Sequence, residues 1–281
     1  MHAELEVQPE ESGLALGTLL KQRGYSRRLV TRLKRTEGGI TRDGVLLRTI
    51  DSVSAGDIII LSCPDSKLLE PACGLEVPVI FEDSELVVFN KPPAMPVHPS
   101  MKHRDDTLGN YFARIYPSLT FRPVNRLDRD TSGCVLAAKT QYAAARLQGS
   151  FGKEYLAVCC GHPDTLMIDA PIARERESLI KRCVREDGKP ALTQLSIIQE
   201  HEGFTLCRVL PKTGRTHQIR VHFSYIGCPL AGDELYGGSR AHIARQALHC
   251  ARLSFISPAD GSLHTVEAPL PEDMKELLKN S

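Results

Sequence analysis

The chain has 281 residues, is 42% apolar and 25% charged, and carries a net charge of +1, which is ordinary for a soluble globular protein. No apolar run approaches the ~20 residues of a membrane span, and the polar, acidic start is not a signal peptide. The nine cysteines include no C-x-x-C pair, which excludes a disulfide framework or a zinc knuckle and points to free, mostly buried thiols in a reducing cytoplasm.

The length suits one large domain or two unequal ones. Residues 1–12 read as disordered or as an edge. Leu14, Leu16, Leu19 and Leu20 suit a short helix that Gly24 ends, and Ser26 can cap a second. That second helix would bury Leu29, Val30 and Leu33 and turn Arg28, Arg32 and Arg35 outward. Asp43-Gly44 predicts a hairpin turn, and Gly56-Asp57 leads into a last strand at Ile58–Leu61. The near-neutral total hides an asymmetry here. Lys21, Arg23, Arg27, Arg28, Arg32, Lys34, Arg35, Arg42 and Arg48 face only Glu37 and Asp43. A local basic face of this kind binds polyanions or is simply a solvated helix face.

A mixed stretch, residues 65–77, reads as a linker. A hairpin follows, Val79–Phe81 with Leu86–Phe89, then a rigid proline-rich loop from Lys91 to Pro99. Thr107 caps a helix with Leu108, Tyr111, Phe112 and Ile115 facing the core. A helix is expected at Ala143–Leu147, and strands at Glu154–Cys160, Ala191–Ile198, Thr205–Leu210, Leu248–Ile256 and His264–Glu267. Residues 161–178 read as irregular, a helix is expected from about Thr216 to Ile226, and a short helix closes the chain. Many short strands with interspersed helices predict an α+β fold on a mixed, largely antiparallel sheet.

Two constellations carry candidate chemistry. The first is Asn125-Arg126-Leu127-Asp128-Arg129-Asp130-Thr131-Ser132-Gly133, followed at once by an apolar run, Cys134–Ala138, that reads as a buried strand. A polar loop tied to a core strand holds a reacting group rigidly at a cleft. Leu127 can plug Asp128 into the domain, and Thr131 and Ser132 can bond the loop's own backbone. The alternative is a surface turn closed by salt bridges. The second is Gly214-Arg215-Thr216-His217-Gln218-Ile219-Arg220-Val221-His222, at an expected helix start where backbone N–H groups attract anions. His217 and His222 lie five apart and share a helix face poorly, which argues against a metal site. The alternative is an amphipathic helix with an exposed basic face.

In order, the chain shows R-L-D-R-D-T-S-G, K-x-Y-x-A at Lys153, Tyr155 and Ala157, G-R-T-H-Q-I-R-V-H, and G-D-x-x-Y-G at Gly232, Asp233, Tyr236 and Gly237. With K-P-P at Lys91 and L-H-C-A-R-L near Leu248, residues 78–281 resemble an RNA pseudouridine synthase of the RluA family. Asn125 departs from the histidine that many members carry there. Residues 1–64 resemble, more loosely, an S-four-like RNA-binding domain through Ser26-Arg27, the Gly38-Gly39 pair, the Asp43-Gly44 hairpin and Gly56-Asp57.

The resemblance implies a pseudouridine synthase fold that isomerises uridine in structured RNA. It implies Asp128 as the catalytic aspartate, Tyr155 packing on the target base, and Arg220 pairing with Asp128. Arg126, Arg129, Arg215 and His217 would hold the RNA strand, with Arg28, Arg32 and Lys34 of the N-terminal segment adding contacts. Isomerisation gains and loses nothing, so no cofactor or metal is expected. The carboxylate could attack the sugar, attack the uracil ring, or act as a base on the sugar. It must stay ionised, which a nearby guanidinium favours. The target nucleotide must leave its stack, at a cost that stacking on a ring such as Tyr155 offsets. Ribosomal RNA is the expected substrate and transfer RNA the alternative, in a cytoplasmic monomer. Two rivals of other classes are a binding protein that has lost catalysis and a hydrolase using Asp128 with Asp130.

Overall fold

The computed structural model describes residues 2–63, 69–72, 74, 76–176 and 180–279. The first strands and helices are β1 (His2–Glu6), α1 (Leu16–Gln22), α2 (Arg27–Arg35), β2 (Ile40–Arg42), β3 (Val45–Leu46) and β4 (Ile58–Ser62). Their strands form an antiparallel sheet in the order β1-β4-β2-β3. The leucine pattern builds a small core of its own: Leu16, Leu19 and Leu20 of α1 meet Leu29 and Leu33 of α2, with Ile59 and Leu61 beneath. The Ser26 hydroxyl accepts the Leu29 N–H and caps α2 as expected. Asp43 and Gly44 both adopt positive φ, 51° and 77°, which gives the β2–β3 turn the right twist. The N-terminal stretch is ordered as β1, an edge strand. Only Leu5 is buried on it, so it shows almost no strand pattern.

The rest forms β5 (Val79–Glu82), β6 (Leu86–Lys91), α3 (Leu108–Ile115), β7 (Arg122–Pro123), β8 (Ser132–Ala138), α4 (Gln141–Leu147), β9 (Phe151–Cys160), β10 (Met167–Asp169), β11 (Ile172–Arg174), β12 (Arg182–Val184), β13 (Leu192–His201), β14 (Phe204–Pro211), α5 (Gln218–Tyr225), β15 (Leu248–Ile256), β16 (Leu263–Glu267) and α6 (Glu272–Lys279). A ten-stranded sheet runs β10-β13-β14-β9-β15-β8-β6-β5, with β16 added to β15 and β7 to β8. Among the described residues the β8–β15 pair is parallel and its neighbours are antiparallel, the mixed α+β arrangement that the sequence predicts. Every residue of β8 is buried, which is why it reads as an unbroken apolar run. Phe89 of β6 receives Tyr111 and Phe112 of α3 edge-on, at 5.9 and 6.4 Å between ring centroids, so those aromatics are core.

Two expectations need correction. Residues 161–178, read as irregular, contain β10 and β11, three residues each, and residues 177–178 of that range lie outside the described residues. Strands that short, each burying a single isoleucine, carry no periodic signal, and β12 was missed for the same reason. Part of the 65–77 linker also lies outside the described residues. The described part is packed: Ala72 and Val77 are buried, and Glu70 and Ala72 exchange hydrogen bonds with Asn110 of α3. The helix expected from Thr216 begins at Gln218, because His217 takes a left-handed conformation. The eight described cysteines are free, and Cys73 lies outside the described residues. Among the described residues no helix is long and apolar enough to cross a membrane.

Candidate active site

The loop 125–131 feeds directly into β8, and its two ends are fixed by different devices. At the start, buried Asn125 bridges β8: its Nδ2 donates to Cys134 O at 3.0 Å and its Oδ1 accepts the Leu136 N–H at 2.7 Å. The amide spends one donor and one acceptor on the β8 backbone, so its contacts are structural. At the end, Gly133 has φ 106°, and a Cβ there would lie 2.2 Å from Cys250 O. Only glycine lets β8 approach β15 this closely. Between them the Thr131 N–H donates to Asp128 O at 3.1 Å and closes the turn. The Thr131 and Ser132 hydroxyls do not bond the loop's own backbone. They reach Gln246 at 3.2 Å and His249 at 2.9 Å, tying the loop to the segment that leads into β15.

Two buried cations hold the loop from behind. Lys91, fully buried at the end of β6, donates to Pro92 O, Met95 O and Arg129 O at 2.7–2.9 Å. Burial pulls its pKa down to about 7 against the opposing charge of Asp130. Three carbonyls need all three ammonium protons, so the charged form is the one that satisfies this site. Arg245 donates to Asp130 O at 3.1 Å and forks onto Asp273 of α6 at 2.6 and 2.9 Å. Neither residue was singled out from the sequence as part of the site. The K-P-P run held the one clue for Lys91: prolines keep that loop extended and leave its carbonyls outside any ladder.

In front of the loop lies an open cleft of about 670 Å³. Asp128 lines it, with its side chain 30% exposed. Arg220 comes from α5, 8% exposed, and its Nη1 donates to Asp128 Oδ2 at 3.0 Å. The other edge of the same guanidinium forks onto Asp233, at 2.6 and 2.7 Å, and Asp233 is 1% exposed. Burial works to lower the Arg220 pKa, yet the hydrogen bonds and charge of Asp233, and then those of Asp128, hold it above its ordinary value. Arg220 is thus a fixed cation with one face toward Asp128. Its guanidinium also sits over the Tyr236 ring, 5.0 Å from the centroid. Asp233 and Tyr236 belong to the G-D-x-x-Y-G motif, to which the sequence assigned no role.

Tyr155, on β9, lines the cleft with its ring nearly buried. Burial and then the neighbouring Cys250 thiol push its phenol well above the usual range, so it is neutral. Arg126, Arg129, Arg215 and His217 all line the same cleft. Arg126 is exposed. Arg129 forks onto Asp130 at 3.0 Å twice, which engages the second carboxylate of a hydrolase pair with a cation. Arg215 stands three residues before α5 rather than at its start, and its Nε donates to Pro190 O at 3.0 Å. The turn around it is set by buried Gln218, whose Oε1 accepts from the Arg215 N–H and the Thr213 hydroxyl. His222 faces away, its ring nitrogens 2.9 Å from Thr193 Oγ1 and 2.9 Å from Ala170 O. Arg28, Arg32 and Lys34 lie apart from the cleft, on α2. Lys153 also lines the cleft, its Nζ 5.4 Å from the Phe151 ring centroid.

A family model described as RNA pseudouridylate synthase matches residues 85–225, the span that holds the Asp128 loop and α5. The RNA pseudouridine synthase YjbO of Bacillus subtilis is 38% identical over 269 residues, covering 91% of this chain and 95% of that protein. The ribosomal large subunit pseudouridine synthase D of Pseudomonas aeruginosa is 36% identical, covering 86% and 83%. The solved structure of human RNA pseudouridylate synthase domain containing 1 aligns with a TM-score of 0.60 and 27% identity over 72% of this chain and 86% of that one. A carboxylate clamped by a buried arginine in an open basic cleft, on this sheet and in these relatives, places the chain in one family: it is an RNA pseudouridine synthase of the RluA family, an isomerase.

Proposed function

We propose that Asp128 is the group that reacts with the target nucleotide and that ribosomal RNA supplies the target. The observation that carries the first part is the division of labour on the carboxylate. Oδ2 is taken by Arg220, while Oδ1 has no hydrogen-bond partner among the described residues, in a side chain that is 30% exposed and lines the cleft. Whether the carboxylate attacks the sugar, attacks the ring or takes a sugar proton, it must be ionised and aimed. Arg220, itself immobilised by Asp233, does the aiming. The neutral Tyr155 phenol offers a flat surface against which an unstacked uracil packs.

Arg126, Arg129, Arg215 and His217 border the mouth where the flanking strand would run. Residues 1–64 form the S-four-like RNA-binding unit in this reading, with Arg28, Arg32 and Lys34 toward phosphates. Its separate core and the basic outer face of α2 support that division. The relative named for the large ribosomal subunit favours ribosomal over transfer RNA, and such a substrate places the enzyme in the cytoplasm.

The test is pseudouridine mapping of total RNA by carbodiimide labelling and reverse-transcription stops, in cells with and without the protein. A ribosomal site is expected to vanish, to return with the wild type, and to stay absent with Asp128→Asn. Purified Asp128→Asn should bind RNA within a few-fold of wild type. Retained turnover would remove Asp128 from its role, and a lost site in transfer RNA would reassign the substrate.

A further inference from the structure

His217 differs from the arginines around it in how it is held. It precedes α5 with φ 56° and ψ 19°, a conformation uncommon outside glycine. Its ring is fixed from a distant segment: Nδ1 lies 2.8 Å from the Tyr236 hydroxyl, and the two rings stand edge-on at 84°. The same hydroxyl oxygen accepts the Arg182 N–H at 3.0 Å. If Nδ1 carried a proton, the tyrosine oxygen would accept twice and its own proton would find no acceptor among the described residues. Tyr236 therefore donates to Nδ1, and the imidazole proton sits on Nε2. Nε2 points toward Asp128, 3.8 Å from Oδ2, the oxygen that Arg220 already holds.

The charged groups facing this ring come from every side. Asp128 and Asp233 favour an imidazolium, whereas Arg220 and Arg182 oppose it. Burial is the largest influence, and the net direction is a pKa below the ordinary histidine value. The imidazole is neutral at physiological pH and is a poor grip for a phosphate.

We propose that His217 is a positioning residue that acts through Asp128: its neutral Nε2–H, in the tautomer set by Tyr236, closes onto Oδ2 when RNA fills the cleft and leaves Oδ1 as the reacting oxygen. Hydrogen bonds at an unliganded site commonly start long and tighten on the substrate. The inference rests on Asp128 being the reacting group. It replaces a strand-holding role for His217 with an aiming role, and it gives Tyr236 a function.

The test uses the full-length protein with 5-tritiated uridine in total RNA from cells lacking it, since joining the sugar to the ring carbon releases that hydrogen. His217→Phe is expected to lower kcat about ten- to a hundredfold, the worth of one hydrogen bond to a charged group, with KM nearly unchanged. His217→Gln, which restores an N–H near the Nε2 position, should recover most of the loss. Tyr236→Phe should lower kcat several-fold, and add nothing in the His217→Phe background. Nitrogen-15 NMR of the wild-type imidazole at neutral pH should show a neutral ring protonated on Nε2, a result that needs no variant to fold. A charged ring, a proton on Nδ1, or a rise in KM with unchanged kcat would overturn the proposal. If Asp128→Asn abolishes turnover while His217→Phe leaves kcat unchanged, the His217 role alone fails. If Asp128→Asn keeps turnover, the reading beneath it fails.

Discussion

The arginines of α2 and Arg220 carry the same group in opposite settings. Arg27, Arg28 and Arg35 are exposed, with no ion-pair partner among the described residues. Arg220 is 8% exposed, and its guanidinium is divided between Asp233 and Asp128. The first set can act only by meeting a polyanion, with affinity that salt erodes. The second acts by geometry in a place that salt screens little. The nearby surface makes the contrast sharper: Arg23, Arg42 and Arg48 are paired with Glu11, Asp57 and Asp51, whereas Arg27, Arg28 and Arg35 of α2 have no ion-pair partner among the described residues. Residue type alone does not separate an exposed, unpaired arginine from a clamped one. Burial and partner number do.

The largest effect should come from breaking the buried pair. Asp233→Asn leaves Arg220 buried with half its compensation, and a loss of about 3–5 kcal/mol is expected in urea unfolding. Turnover should fall as well, because Arg220 would be free to swing fully onto Asp128. Wild-type stability in this variant would mean that Asp128 alone holds the guanidinium.

Acid should separate the two regions next. His249 is 1% exposed, and burial holds its pKa at about 4 instead of 6.5. Burial also lowers His222, His217 and His98, which all lie in the region of the large sheet. Residues 2–63 contain only His2, which is exposed. A buried neutral histidine binds fewer protons folded than unfolded. The share of stability that these histidines carry should therefore be level above pH 6.5 and fall as pH drops toward 4, by about 1.4 kcal/mol per unit for His249. Urea midpoints measured across that range should fall for the large sheet before the N-terminal one. A flat profile would show that His249 takes up its proton as readily in the fold as in the unfolded chain. His249→Gln should remove its share of the slope.

The smallest effect is expected on α2. Arg28→Ala with Lys34→Ala should leave kcat intact, raise KM for long RNA a few-fold, and lower the slope of log affinity against log salt by roughly 0.7–0.9 for each phosphate no longer neutralised. An unchanged slope would make this helix a solvated face. A changed kcat would join it to the cleft and erase the contrast.

Much of the machinery was legible because it is local. The caps at Ser26 and Thr107, the Asp43-Gly44 turn, the buried run of β8 and the stretch around Asp128 each carry their cause within a few residues. Arg220 could be matched to Asp128 through family resemblance, and the 3.0 Å bond between them agrees with that expectation. What sequence spacing missed has its cause elsewhere in the chain. The three-residue strands β10, β11 and β12 exist because longer strands or one another offer partners, not because of their own pattern. Gly133 is needed because β15 lies beside it, and Lys91, Arg245 and Asp233 each reach a carbonyl or charge that lies 13 to 115 positions away in the chain. The start of α5 moved by two residues because His217 is twisted into a left-handed turn, its ring bonded to a tyrosine nineteen positions on. Neighbouring residues set the caps, turns and buried strands, and the family chemistry was legible through the resemblance of the motifs. The tertiary structure alone decided which charges are clamped and which are free, because the cost of burying a charge depends on partners that only folding brings within reach.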